Sequence, residues 1–75
     1  MQYPLTTGQA AGLLSTTEPR LADLVRKGKI SPRPEVVVGR RLWHLEHVLQ
    51  AADVLGVLDG HLRAHLAGLE VNRAS

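Results

Sequence analysis

Cysteine and phenylalanine are absent, and Tyr3 and Trp43 are the only residues of the Phe, Trp and Tyr class. Without cysteine there is no disulfide framework and no thiolate metal cluster, so packing alone must hold the fold. No apolar run approaches the roughly 20 residues of a membrane-spanning helix. The start MQYPLTTGQ lacks the charged-then-apolar order of a signal peptide, and the expected location is the cytoplasm. Length is scarce too. Seventy-five residues make one domain and bury too little surface to enclose a deep catalytic cavity. No nucleophile stands beside a base with an orienting third group, so the chain is expected to bind a partner, without catalysis and without a cofactor.

Acidic residues are few where basic residues are dense. The net charge of +2 hides this asymmetry. Residues 1–43 carry seven basic side chains (Arg20, Arg26, Lys27, Lys29, Arg33, Arg40, Arg41) against three acidic ones (Glu18, Asp23, Glu35). Residues 44–75 carry two basic against four acidic ones, and within 26–41 the count is six to one. A local cationic stretch attracts a polyanion more than a total charge does, which places a phosphate-contact surface there.

Local patterns divide the chain into short elements. Thr6 and Gln9 have capping-box spacing, with Leu5 able to pack onto Ala10, so a helix is expected from about Thr7 to Leu14. Ser15, Thr16 and Thr17 form a turn. Thr17 is the expected N-cap of a second helix, from Glu18 to Lys27, with Pro19 in its first turn and Leu21, Leu24 and Val25 inward. Gly28 suits a left-handed C-terminal cap. Two short helices joined by a tight turn, the second carrying basic residues outward, make a helix-turn-helix.

From Lys29 the periodicity changes. Pro32 and Pro34 belong to an extended lead-in, Val36, Val37 and Val38 to a strand, Gly39-Arg40 to a two-residue turn, and Arg41-Leu42-Trp43 to the returning strand. The expected product is a hairpin with arginines at its tip and Trp43 packed against the helices. A third helix should run from His44 or Leu45 to Leu55, with Leu45, Val48, Leu49 and Ala52 inward. In the tail, Val57, Leu58, Leu62, Leu66 and Leu69 recur at three- and four-residue steps. This stripe either folds back on the core or lies against another copy, and Val71 to Ser75 should fray. The expected fold is mainly α with a small β-hairpin: a winged helix-turn-helix over 1–55 plus a helical tail over 56–75, a candidate self-association segment.

A major groove admits one helix, whose outward residues near its amino end reach base edges. Those positions fall to Thr17, Glu18, Arg20 and Asp23. Arg20 is the foremost base-reading candidate, because a guanidinium can bond bidentately to guanine. Asp23 would accept from cytosine or orient an arginine, while Arg26 and Lys27 suit phosphate oxygens. At the hairpin, Gly39, Arg40 and Arg41 fit an adjacent minor groove, with Lys29 and Arg33 flanking it. His61 and His65 have the spacing of two metal ligands, and His44 and His47 add imidazoles, but no cysteine joins them. They are expected to be solvated helix residues, with no metal site.

The stretch LTTGQAAGLLSTTEPRLADLVRKGKISPRPEVVVGRRLWHLEHV resembles the excisionase and MerR-like winged helix-turn-helix group over about residues 5 to 55. The marks are Leu5-Thr6-Thr7, Ala10-Ala11, Leu21 and Leu24, Gly28-Lys29-Ile30, and Gly39-Arg40-Arg41-Leu42-Trp43. Ser15-Thr16 departs from many relatives, which have Gly and a hydrophobic residue there, and this shifts or tightens the turn. The resemblance implies sequence-specific binding of double-stranded DNA by the second helix and a wing. It further implies a phage excisionase acting in a bacterial host cell: several copies bend attachment-site DNA and bias a tyrosine integrase toward excision. A small MerR-like transcription regulator shares the same marks. An interaction module working through the leucine-rich tail is the alternative of another class.

Overall fold

The computed structural model describes residues 2–71. Helix α1 spans Thr7–Leu13, and its capping box is formed: the Gln9 N–H donates to Thr6 Oγ1 at 3.1 Å and the Thr6 N–H to Gln9 Oε1 at 3.0 Å. This reciprocal pair satisfies two amide donors, one that the first helical turn leaves open and that of the cap residue itself. Helix α2 spans Glu18–Arg26, opened by Thr17, whose hydroxyl accepts from the Arg20 N–H at 3.4 Å. It closes on Gly28 at φ 73°, with Gly28 N–H bonding Val25 O at 3.0 Å and Lys29 N–H bonding Leu24 O at 2.9 Å. That paired closure is a Schellman motif, and a Cβ would penalise its left-handed residue.

Between the helices Ser15 takes φ 54°, and the Thr16 N–H reaches back to Ala11 O at 2.9 Å. Serine thus adopts the left-handed turn that a glycine would take with less strain.

Strands β2 (Glu35–Val37) and β3 (Arg40–Leu42) form the antiparallel hairpin, in the register Glu35 with Leu42, Val36 with Arg41, Val37 with Arg40. The turn is one residue earlier than the sequence suggests. Its two residues are Val38 at φ 51° and Gly39 at φ 75°, a pair of positive values of the type that matches strand twist. The tip is therefore valine and glycine, with Arg40 already in β3. Pairing register, fixed along the strands, outweighs the strand preference of Val38.

Trp43 leaves the hairpin toward the core and is fully buried. It exchanges two backbone hydrogen bonds of 2.8 Å with Leu5, and its Nε1–H donates to Thr7 Oγ1 at 3.0 Å. Helix α3 spans Leu45–Leu55 and buries His47, Val48, Ala51 and Ala52. Val48 and Ala52 are inward as expected, whereas Leu45 and Leu49 are half-buried at the edge. At 3.6 residues per turn the fully buried stripe is rotated by about 80° from the expected one.

Helix α4 spans Gly60–Ala67, capped by Asp59, whose carboxylate accepts from the Leu62 N–H at 2.7 Å. Leu66 is fully buried in the same core as Trp43, and the Tyr3 hydroxyl donates to its carbonyl at 2.8 Å. Strand β1 (Gln2–Tyr3) pairs in parallel with β4 (Glu70–Val71). The tail folds back on the core, as one of the two expectations has it, and its inward leucines complete that core. Val71 lies in β4 instead of a frayed end, and residues 72–75 lie outside the described residues. Among the described residues the fold is mainly α, four helices with a small antiparallel hairpin. Among the described residues no helix is long and apolar enough to cross a membrane.

Candidate nucleic-acid interface

Two recesses border the hairpin, one toward α2 and one toward α1. The larger, about 450 Å³, is lined by Ala22, Val25 and Arg26 of α2, by Arg33 and Pro34 of the lead-in, and by Val36 and Arg41 of the hairpin. Three arginines from three segments separated in sequence thus meet around one groove. The second, about 430 Å³, lies between the first turn of α1 (Thr6, Thr7, Gly8), Glu18, and the hairpin residues Gly39, Arg40 and Arg41. Arg41 borders both. Its Nε is buried without a hydrogen-bond acceptor among the described residues. A buried donor left unpaired costs free energy.

The outer face of α2 continues the groove. Pro19, Ala22, Asp23 and Arg26 border a shallower depression of about 330 Å³. Asp23 carries the local ion pairs: Arg26 donates to Oδ1, and Lys27 Nζ stands 3.0 Å from Oδ2. Lys27 and then Arg26 hold the Asp23 carboxyl below the usual carboxylate range. Such exposed pairs within one helix are weak, so either base can exchange the carboxylate for another anion at little cost.

Of the residues singled out in sequence, Arg26, Arg33 and Arg41 share the larger recess, and Glu18, Gly39, Arg40 and Arg41 share the other. Arg20 borders neither. By helix geometry it lies about 160° around α2 from Ala22, on the flank away from the hairpin. Lys27 is exposed beside Asp23, Lys29 is exposed after the helix, and the Thr17 hydroxyl is engaged in capping. Glu18 puts a carboxylate into the second recess, leaving the first as the more uniformly cationic one. Sequence reasoning missed Ala22, whose small side chain leaves room between helix and hairpin, and Pro34, which is buried at the groove wall. Ala22 is one residue from Asp23 and outside the Leu21, Leu24, Val25 stripe, so helix periodicity alone identifies it as outward.

The histidines correct one expectation. His47 is buried, its Nδ1 accepting from the His44 N–H at 3.0 Å and its ring edge-on to Trp43 at 6.4 Å between centroids. Burial pushes its imidazole below the usual value. Among the described residues no group of three or more His, Cys, Asp or Glu side chains could hold a metal. Comparison with protein-family models, curated proteins and solved structures yields no match.

Proposed function

We propose that this chain is a sequence-specific binder of double-stranded DNA, a winged helix-turn-helix in which α2 enters the major groove and the β2–β3 hairpin acts as the wing. One observation carries the reading: Arg26, Arg33 and Arg41 converge on a single groove between α2 and the hairpin. A surface that gathers basic side chains beside an outward helix face suits a phosphate backbone along the wall of a major groove. Arg20, on the opposite flank of α2, then faces the other wall. It reads a guanine or meets that strand's phosphates, and Asp23 orients Arg26. Arg40 and Arg41 follow the hairpin along the neighbouring minor groove.

Within that class the resemblance of residues 5–55 supports an excisionase, a recombination directionality factor that binds cooperatively, bends attachment-site DNA and directs a tyrosine integrase toward excision. A small transcription regulator would use the same interface. Bending separates them: in a circular-permutation gel shift, an excisionase gives a cooperative series of strongly bent complexes, whereas one isolated, unbent complex favours the regulator. An interaction module working through the tail is disfavoured, since Leu66 is buried and Leu58, Leu62 and Leu69 pack on the core.

A further inference from the structure

The hairpin tip is built against the preferences of its own turn. A two-residue turn with two positive φ values favours Asn-Gly or Asp-Gly, because those residues tolerate left-handed backbone. Here the first position is Val38 at φ 51°, a β-branched residue in a conformation such residues rarely adopt. The strain is not offset by packing within the chain, since Val38 is 96% exposed. A residue that strains the turn and touches nothing inside is presented to something outside.

Its surroundings name the partner. Val37, 41% exposed, is paired in register with Arg40, and Arg41 follows at the junction of the two recesses. Gly39 has open space where a Cβ would stand, so the backbone at the tip can approach a surface closely. An apolar point with two arginines on the strand that follows it complements a groove edged by phosphates and floored by base edges and stacked bases. A neutral apolar protein surface would leave those guanidinium groups desolvated and unpaired.

We infer that Val38 is a wedge that presses into the minor groove at one base step, partly unstacks it and supplies part of a bend in the duplex, while Arg40 and Arg41 hold the flanking phosphates. The inference rests on the DNA-binding reading proposed above and adds to it the residue that deforms the duplex. Apolar side chains inserted beside cationic anchors unstack base steps and kink DNA toward the major groove, and flexible pyrimidine–purine steps yield most readily.

The test compares the wild-type protein with Val38→Asn and Val38→Ile on a short duplex selected by the wild type from a randomised library. Bend angle is read by circular permutation, and unstacking by 2-aminopurine fluorescence in the central steps. Val38→Asn completes the favoured Asn-Gly turn, so its melting temperature should rise. Its bend and its fluorescence gain should be largely lost, with affinity weakened by about tenfold and the salt slope unchanged. Val38→Ile should keep the bend. If Val38→Asn bends and unstacks the duplex as the wild type does, the wedge is refuted while DNA binding stands. If the wild type selects no duplex, or binds with no salt dependence, the underlying reading falls and the wedge with it.

Discussion

Replacing Trp43 by alanine removes the side chain around which the first half of the chain is organised. The indole is fully buried, its Nε1–H reaches Thr7 at the start of α1, and it makes a T-shaped contact with the ring of His47 from α3. Truncating a buried Trp or Phe to Ala costs about 3 to 5 kcal/mol through lost transfer energy and residual cavity. A domain of this length has a total stability of about 4 to 11 kcal/mol, so Trp43→Ala should remove from about a quarter to all of it. Trp43→Phe keeps most of the ring but loses the hydrogen bond to the half-buried Thr7 hydroxyl, for a smaller cost of about 1 to 2 kcal/mol. Trp43 is the only tryptophan, so urea melts are followed by far-ultraviolet circular dichroism. A Trp43→Ala protein with the wild-type midpoint and slope would refute its place as the organising core residue.

Tyr3→Phe removes the hydroxyl that donates to Leu66 O and should cost about 1 kcal/mol, with amide exchange in α4 accelerating more than in α2. Burial also raises the Tyr3 pKa, so its contribution is present below its ordinary value of about 10 and fades as pH rises through the folded value. His47 acts at the other end of the scale. Burial lowers its pKa against the opposing pull of Glu46 and the Pro32 carbonyl, with His44 adding to the lowering, so the unfolded chain binds the proton first. Stability is then full above about pH 6.5 and declines as pH falls from there toward the lowered folded value. Urea midpoints at about pH 7.5 and pH 5.5 should differ in the wild type and converge in His47→Leu; equal midpoints in the wild type would contradict the assignment.

Local signals were the legible ones. The Thr6–Gln9 box, the Thr17 cap ahead of Pro19 and the Gly28 closure each depend on residues a few positions apart, and each formed where short-range chemistry places it. Trp43 was legible for another reason: a small chain with one large apolar ring has few places to put it. What sequence did not reveal depends on distant partners. The pairing of Gln2–Tyr3 with Glu70–Val71 joins the two ends of the described chain, and nothing in two-residue strands announces it. The turn moved by one residue because Val38 reads as strand by propensity, while the pairing of Val37 with Arg40 and of Val36 with Arg41 is decided across the ladder and leaves Val38 in the turn. His47 reads as polar and outward, yet it is buried, with its Nδ1 accepting from the His44 N–H and its ring packed against Trp43, partners that its own position does not reveal. At the site, composition located the basic stretch, but only the fold shows that Arg26 and Arg33 meet Arg41 while Arg20 takes the opposite flank of α2.

The claim that these arginines converge to hold a phosphate backbone is tested most directly by the salt dependence of duplex binding, measured by fluorescence anisotropy for the wild type and for Arg26→Ala/Arg33→Ala. Both side chains are exposed and outside the core, so the variant should melt as the wild type does. The wild-type log affinity should fall with log salt at a slope of about −4 to −5, and the double variant should be shallower by about 2. A flat wild-type response, or a slope unchanged by removing both arginines, would contradict the account.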